Sequence, residues 1–276
     1  MKDLPLRCAD GVTLNATLRP GSRGAVVFAS ALGVPRRFYG RCADVLADRG
    51  YGSVAFDYRG VDGSGAEVDP GEIALEHWGS RDLDAALRLA RSELGGPLYL
   101  VGHSLGGQLP GLAPTSDELA GIVLVGSCAP YPSRYRWRDR LRIELMWRVL
   151  VPLLARGPTF PTSRLGLGSI DLPTTVIRTW RNWGLTPDYL FDPRRGIDVS
   201  RYTTLAVPML SWSFADDSFA WLEAVEALHA HYPGVRLTHR HVTPPAGAPV
   251  GHFGYFRPRG EPFRVETAEW LDAVGD

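Results

Sequence analysis

The sequence predicts an α/β protein built on a doubly wound, mostly parallel sheet, and three observations carry that reading. Short runs that are apolar throughout, such as AVVFA at 25–29, LYLVG at 98–102 and GIVLVG at 121–126, read as strands buried on both faces. Longer amphipathic stretches separate them, the alternation that builds parallel sheets. The rhythm stops after Gly126 and resumes at residue 206, so one α/β unit carries an insertion.

In chain order, residues 25–29 predict a strand and 38–49 a helix ending at Gly50, a normal C-terminal stop. Residues 51–57 predict a second strand. A long helix is expected over 72–94, with Leu83, Leu87, Ala90 and Leu94 on one face and Gly95-Gly96-Pro97 after it. Strands follow at 98–102 and 121–126. Residues 127–205, rich in Arg, Trp, Tyr and Pro, show no evident strand; within them 138–156 has helical amphipathicity and a bend near Pro152. A strand at 206–212, a helix at 219–231, a strand at 235–242 and a helix at 262–274 complete the chain. The expected organisation is a core of 1–126 and 206–276 around a helical lid insertion, 127–205.

Composition narrows the function classes. A formal net charge of +0 gives no global basic field for nucleic acid. Lys2 is the only lysine, so surface cations are almost all guanidiniums. Three scattered cysteines, Cys8, Cys42 and Cys128, fit neither a disulfide framework nor metal-ligand spacing, and suggest a reducing compartment. No stretch reaches the ~20 apolar residues of a membrane span, and the N-terminus lacks a signal-peptide core. The expectations are therefore a cytoplasmic protein, monomer or homodimer, with no cofactor, metal or nucleic-acid partner.

The sharpest chemical signal is Gly102-His103-Ser104-Leu105-Gly106, followed by Gly107. It matches G-x-S-x-G directly after a strand and ahead of an expected helix, the setting that motif requires. A strand turning abruptly into a helix puts the serine at a crowded tip, where glycines on either side relieve the contact. Ser104 is the candidate nucleophile, set against a glycine-rich turn with an idle serine. Pro110 is expected to kink the helix that follows.

This segment resembles the nucleophile elbow of the α/β-hydrolase superfamily. Asp57-Tyr58-Arg59-Gly60 with Gly63-x-Gly65 is similar to that family's turn after its fourth strand. Trp180-Arg181-Asn182-Trp183 and Pro187-Asp188-Tyr189-Leu190-Phe191 are similar to segments of bacterial α/β-hydrolases. The resemblance implies an α/β-hydrolase fold and a triad in the order Ser, Asp or Glu, His. It implies His252, in Pro249-Val250-Gly251-His252-Phe253-Gly254, as the base. His229 and His231 fall on a helix pattern, His239 and His241 in a strand, His77 in a helix, and His103 is expected to be structural. For the acid it favours Asp216, leaving Asp217 as a cap or turn carboxylate. The expected oxyanion donors are the amides of Leu105 and Leu32, with Ala31 second; Ser30-Ala31 stands where many members carry His-Gly.

The implied chemistry is cleavage of a carboxylic ester or thioester through an acyl-enzyme, with activity falling as acid protonates His252. The alternative is a non-catalytic small-molecule binding or interaction protein on the same scaffold. Trp137, Trp180, Trp183 and Tyr189 are candidates for substrate binding, within an aromatic set of the insertion that also holds Trp147, Tyr131 and Tyr135, all weighed against a role as the insertion's own core. Arg134, Arg136, Arg138, Arg140 and Arg142 form a cationic run, a solvated face or a site for an anionic substrate. Residues 138–156 also fit a helix against a membrane surface, with Pro152, Asp139 and Glu144 counting against it.

Overall fold

Continuous apolar runs become the central strands of an eight-stranded sheet in the computed structural model, which describes residues 1–275. The strands are β1 (Lys2–Arg7), β2 (Thr13–Arg19), β3 (Ala25–Ala29), β4 (Gly52–Phe56), β5 (Leu98–His103), β6 (Leu119–Val125), β9 (Pro208–Phe214) and β10 (Arg236–Val242). A separate two-stranded pair joins β7 (Thr159–Phe160) to β8 (Leu172–Pro173) inside the segment read as strandless. The sheet order is β1-β2-β4-β3-β5-β6-β9-β10; β2 runs antiparallel to both neighbours and all other pairs are parallel.

Both faces of the sheet are covered. Ala25, Val27 and Ala29 enter one core while the alternating Val26 and Phe28 enter the other. Every residue of β3 and β5 is buried, so neither face shows the polar half of an alternating strand. Each fully buried Val or Phe there contributes about 1.5–3 kcal/mol of transfer free energy. The edge strand β1 and its neighbour β2 bury only one side, through Leu6, Leu14 and Ala16.

The helix expected over 72–94 runs from 75 to 94 but passes through a π turn at Trp78–Leu83. That turn carries Asp82 into the interior, where it accepts from the backbone N–H (2.9 Å) and Nε (2.8 Å) of buried Arg59. The Asp57–Gly60 segment is thereby pinned, and its charge is paired rather than left bare in the core.

The helix expected after Ser104 is absent. Ser104–Gln108, Pro110–Leu112 and Pro114–Glu118 are separate 3-10 turns. Pro110 and Pro114 have no N–H to continue an α ladder, so the kink becomes a full break. Between β6 and β9 the chain forms a helix running through Trp137–Leu145, a π turn at Met146–Leu150 and Val151–Leu154, then helices at Thr174–Gly184 and Ser200–Thr204. All three cysteines are free and buried.

A histidine cluster sits under the β10 edge. His229 Nε2 meets Ser211 Oγ (2.8 Å), while His239 Nε2 and His241 Nδ1 both meet Ser213 Oγ (2.8 Å each). Burial, and then neighbouring His239, pulls His229 down to about 4. An unfolded histidine takes its proton near pH ~6.5, so between those values the unfolded chain binds the extra proton. Stability supplied by this group is therefore complete above pH ~6.5 and is lost as pH falls toward 4. Thermal melts across that window should show Tm falling with acid, and His229→Asn, which keeps a hydrogen-bonding side chain, should flatten the slope.

Candidate active site

Ser104 sits at the end of β5 with φ 52°, a left-handed backbone that few non-glycine residues adopt. The turn is tight because β3 lies directly beside it. A Cβ at Gly106 would stand 2.1 Å from the carbonyl oxygen of Ala29. Any larger residue there would push β5 away from β3, which explains the last glycine of the motif.

Ser104 Oγ lies 2.8 Å from His252 Nε2, and His252 Nδ1 lies 2.8 Å from Asp217 Oδ2. Asp217 is fully buried at its side chain and His252 nearly so, at 8% exposure. The carboxylate only accepts, so Nδ1 carries the proton and Nε2 presents its lone pair to the serine hydroxyl. Gly126, at the end of β6, makes room for this pair. A Cβ there would come within 3.2 Å of Asp217 Oδ2 and 3.3 Å of His252 Nδ1.

The residue facing His252 is therefore Asp217 and not Asp216. The tight turn after β9 buries the second aspartate and exposes the first. Asp217 Oδ1 accepts from Phe219 N (2.8 Å) and Ala220 N (3.1 Å), which fixes its carboxylate and leaves Oδ2 for the histidine. Asp216 accepts from the amides of Val250 (2.8 Å) and Gly251 (3.0 Å), the two residues just before His252. One aspartate anchors the loop and the next orients the ring. The other oxygen makes the turn contacts expected of the second aspartate, but it does not cap the next helix, which begins at Leu222 after Trp221 with no side-chain cap.

His103 occupies a second chain of hydrogen bonds. Its Nε2 lies 2.9 Å from the carbonyl oxygen of His252, which can only accept, so Nε2 carries the proton. Nδ1 is then the acceptor for the Tyr39 hydroxyl at 3.1 Å, and that hydroxyl accepts from the Ala31 amide at 2.8 Å. Burial, with His252 adding to it, holds His103 well below the usual imidazole range, so it stays neutral. Loop 30–36, the elbow and the His252 loop are tied together through one ring.

This chain also selects among the oxyanion candidates. The Ala31 N–H is occupied by Tyr39, whereas the Leu32 amide has no acceptor among the described residues. Leu105 follows Ser104 at the start of a 3-10 turn, where the first amides lack a partner inside the turn. The same loop is held from its far end by Arg36, whose amide (2.6 Å) and guanidinium both reach Asp57.

Ser104 and His252 open into a cavity of about 270 Å³. Its walls include Leu32, Gln108, Tyr135, Ile143, Met146, Trp147, Trp180, Phe219 and Phe253. Several polar groups on the wall are already engaged, although the indole N–H groups of Trp147 and Trp180 have no hydrogen-bond partner among the described residues. Gln108 donates to Cys128 O (2.7 Å) and accepts from Tyr189 OH (2.6 Å), and Tyr135 OH donates to Phe219 O (2.8 Å). Burial, with the Asp217 charge adding to it, pushes the Cys128 thiol up to about 12, so it lines the wall as a neutral group.

Of the four aromatic candidates for substrate contact, only Trp180 lines this cavity. Trp183 and Tyr189 are buried behind it, ring centroids 5.6 Å apart, as core of the inserted segment. Trp137 points to solvent at 67% exposure. Trp147 and Tyr135, from the same aromatic set of the insertion, line the cavity as well; Gln108 and Phe219 had no motif to mark them.

The sequence profile of the alpha/beta hydrolase family matches residues 26–261, and the chain belongs to that family. Among solved structures, an esterase from Exiguobacterium antarcticum is 17% identical, with 98% of this chain and 100% of that one covered at a TM-score of 0.64. A thermophilic esterase from Thermogutta terrifontis is 18% identical, with both chains fully covered at a TM-score of 0.60. A bromoperoxidase from Bacillus anthracis is 14% identical, covering 98% and 100% at a TM-score of 0.64. At these identities the likeness is one of fold. No curated protein matches the chain.

Two sets of substitutions test the geometry. Asp217→Asn would place an amide donor against Nδ1 and reverse the tautomer, and should lower kcat by roughly 10⁴-fold. Asp216→Asn keeps an acceptor for one loop amide and should cost only about tenfold. Tyr39→Phe preserves the ring and removes the hydroxyl. It should lower kcat by about tenfold with little change in KM, and lower Tm, because it strands the buried Ala31 amide and His103 Nδ1. An unchanged kcat beside a lowered Tm would assign Tyr39 to stability alone.

Proposed function

We propose that this member of the alpha/beta hydrolase family is a serine hydrolase that cleaves carboxylic esters or thioesters through an acyl-enzyme. The observation that carries the reading is the series of two 2.8 Å contacts from Asp217 through His252 to Ser104, opening on an apolar cavity.

Ser104 Oγ attacks the substrate carbonyl carbon while His252 Nε2 takes its proton. The carbonyl oxygen gains the negative charge and is received by the amides of Leu105 and Leu32. Asp217 holds Nδ1–H and stabilises the imidazolium. The C–O or C–S bond then breaks, with His252 returning the proton to the leaving group. Water attacks the acyl-enzyme with the same residue as base, releasing the acid and restoring Ser104. Segment 127–205 serves as a cap, contributing Tyr135, Ile143, Met146, Trp147 and Trp180 to the wall.

Because the wall is mostly apolar and its one guanidinium, Arg142, is exposed and paired with Asp139, a charged acyl group buried against it would lose water without full replacement. The favoured substrates carry an uncharged, apolar group on the acyl or alcohol side. A fluorophosphonate probe should label the wild type, and neither Ser104→Ala nor His252→Ala. A folded wild type that stays unlabelled would sink the hydrolase reading and leave a binding role for the cavity. In a p-nitrophenyl ester series, Trp180→Ala should move the preferred chain toward greater length, by enlarging the wall that meets its end.

A further inference from the structure

The helix running from Trp137 to Leu154 faces two ways. Ile143, Met146 and Trp147 line the cavity. On the opposite side Trp137, Leu141, Leu145, Val149 and Leu153 recur every fourth residue and are 67, 61, 52, 42 and 52% exposed, with Leu154 beside them at 39%. These are six of the nine large apolar side chains exposed among the described residues. Singly scattered apolar residues need no explanation, but a contiguous row does.

The row is edged with positive charge. Arg136, Arg140 and Arg148 each immediately precede one of its members, Arg138 and Arg142 each follow one, and Arg156 lies at its end; all six are exposed. Residues 136–156 hold these six arginines against two carboxylates, in a chain whose formal net charge is zero. Both carboxylates are neutralised on the helix itself, Asp139 by Arg142 (3.2 Å) and Glu144 by Arg148. Pro152 leaves the helix continuous, because it stands in the first turn of Val151–Leu154, directly after the π turn. The sequence features that argued against a surface helix are thus accommodated by the structure.

We propose that this row is a docking face for an anionic lipid surface. The apolar side chains enter the outer acyl region while the arginines, on their long stems, reach lipid phosphates. A second copy of the chain fits less well. Pairing the row with itself would bring two sets of six guanidiniums together around a face whose only carboxylates are already paired. Arg142 both lines the cavity and flanks the row, so docking brings the cavity mouth to the lipid layer. Only that last consequence, delivery of lipid-borne esters to Ser104, rests on the hydrolase reading; the docking does not.

The test is flotation with phosphatidylcholine vesicles, with and without phosphatidylglycerol, using the full chain. Wild type and Ser104→Ala should float equally with the phosphatidylglycerol vesicles, weakly with phosphatidylcholine alone, and less as salt rises. Leu141→Glu with Leu145→Glu should cut the partition coefficient by at least about tenfold per leucine. Arg138→Gln with Arg140→Gln should weaken only the phosphatidylglycerol binding. None of these four residues lines the cavity, so turnover of a water-soluble ester and the far-UV spectrum should match wild type. Wild type that fails to float, or floats no better than the double-glutamate variant, overturns the proposal. So does a dimer seen by light scattering that the double-glutamate variant splits, which assigns the row to a second copy. Loss of fluorophosphonate labelling with flotation intact would strike the hydrolase reading and leave the docking standing.

Discussion

Ser104 holds a left-handed backbone at the tip of β5, only because Gly106 lets the turn press against the carbonyl of Ala29. The rest of the site depends on that contact. It brings the serine next to the loop leaving β3, so Leu32 and Ser104 line the same cavity. It also puts His103, the residue just before the serine, in the buried space between that loop and the loop carrying His252. With only 3-10 turns after the elbow, the aligned dipoles of a long helix are missing. In the proposed mechanism oxyanion stabilisation would therefore rest on individual amides, and the Tyr39–His103 chain is what ties the Ala31–Leu32 loop to the elbow.

The two adjacent aspartates divide one task. A carboxylate that is to orient an imidazole has to be fixed itself, and Asp217 is fixed by two amides on one oxygen while the other meets His252. The loop bearing the histidine has to be fixed too, and Asp216 does that from the solvent side. Burial separates the roles: the inner carboxylate meets the ring away from water, where a charge-assisted hydrogen bond is strongest.

The central strands were legible because strands buried on both faces carry no polar alternation, and AVVFA and LYLVG admit little else. Ser104 was legible because its glycines are a steric requirement. What escaped the sequence were choices between neighbours. Asp216 and Asp217 differ by one position in a turn, and only the path of the chain decides which is buried. β1 and β2 bury a single side and carry polar residues on the other, so they lack the continuous apolar signature. In the inserted segment arginines lie on several faces of the helix, which hides that Trp147 points inward and Trp137 outward.

Proton NMR of the far-downfield region tests the hydrogen-bonded chain most directly, because a proton held between His252 Nδ1 and a carboxylate is protected from exchange and strongly deshielded. Such a resonance is expected in wild type and in Asp216→Asn, and its absence in Asp217→Asn and His252→Ala. A resonance that survives Asp217→Asn and vanishes in Asp216→Asn would contradict it, and would return the orienting role to the exposed aspartate.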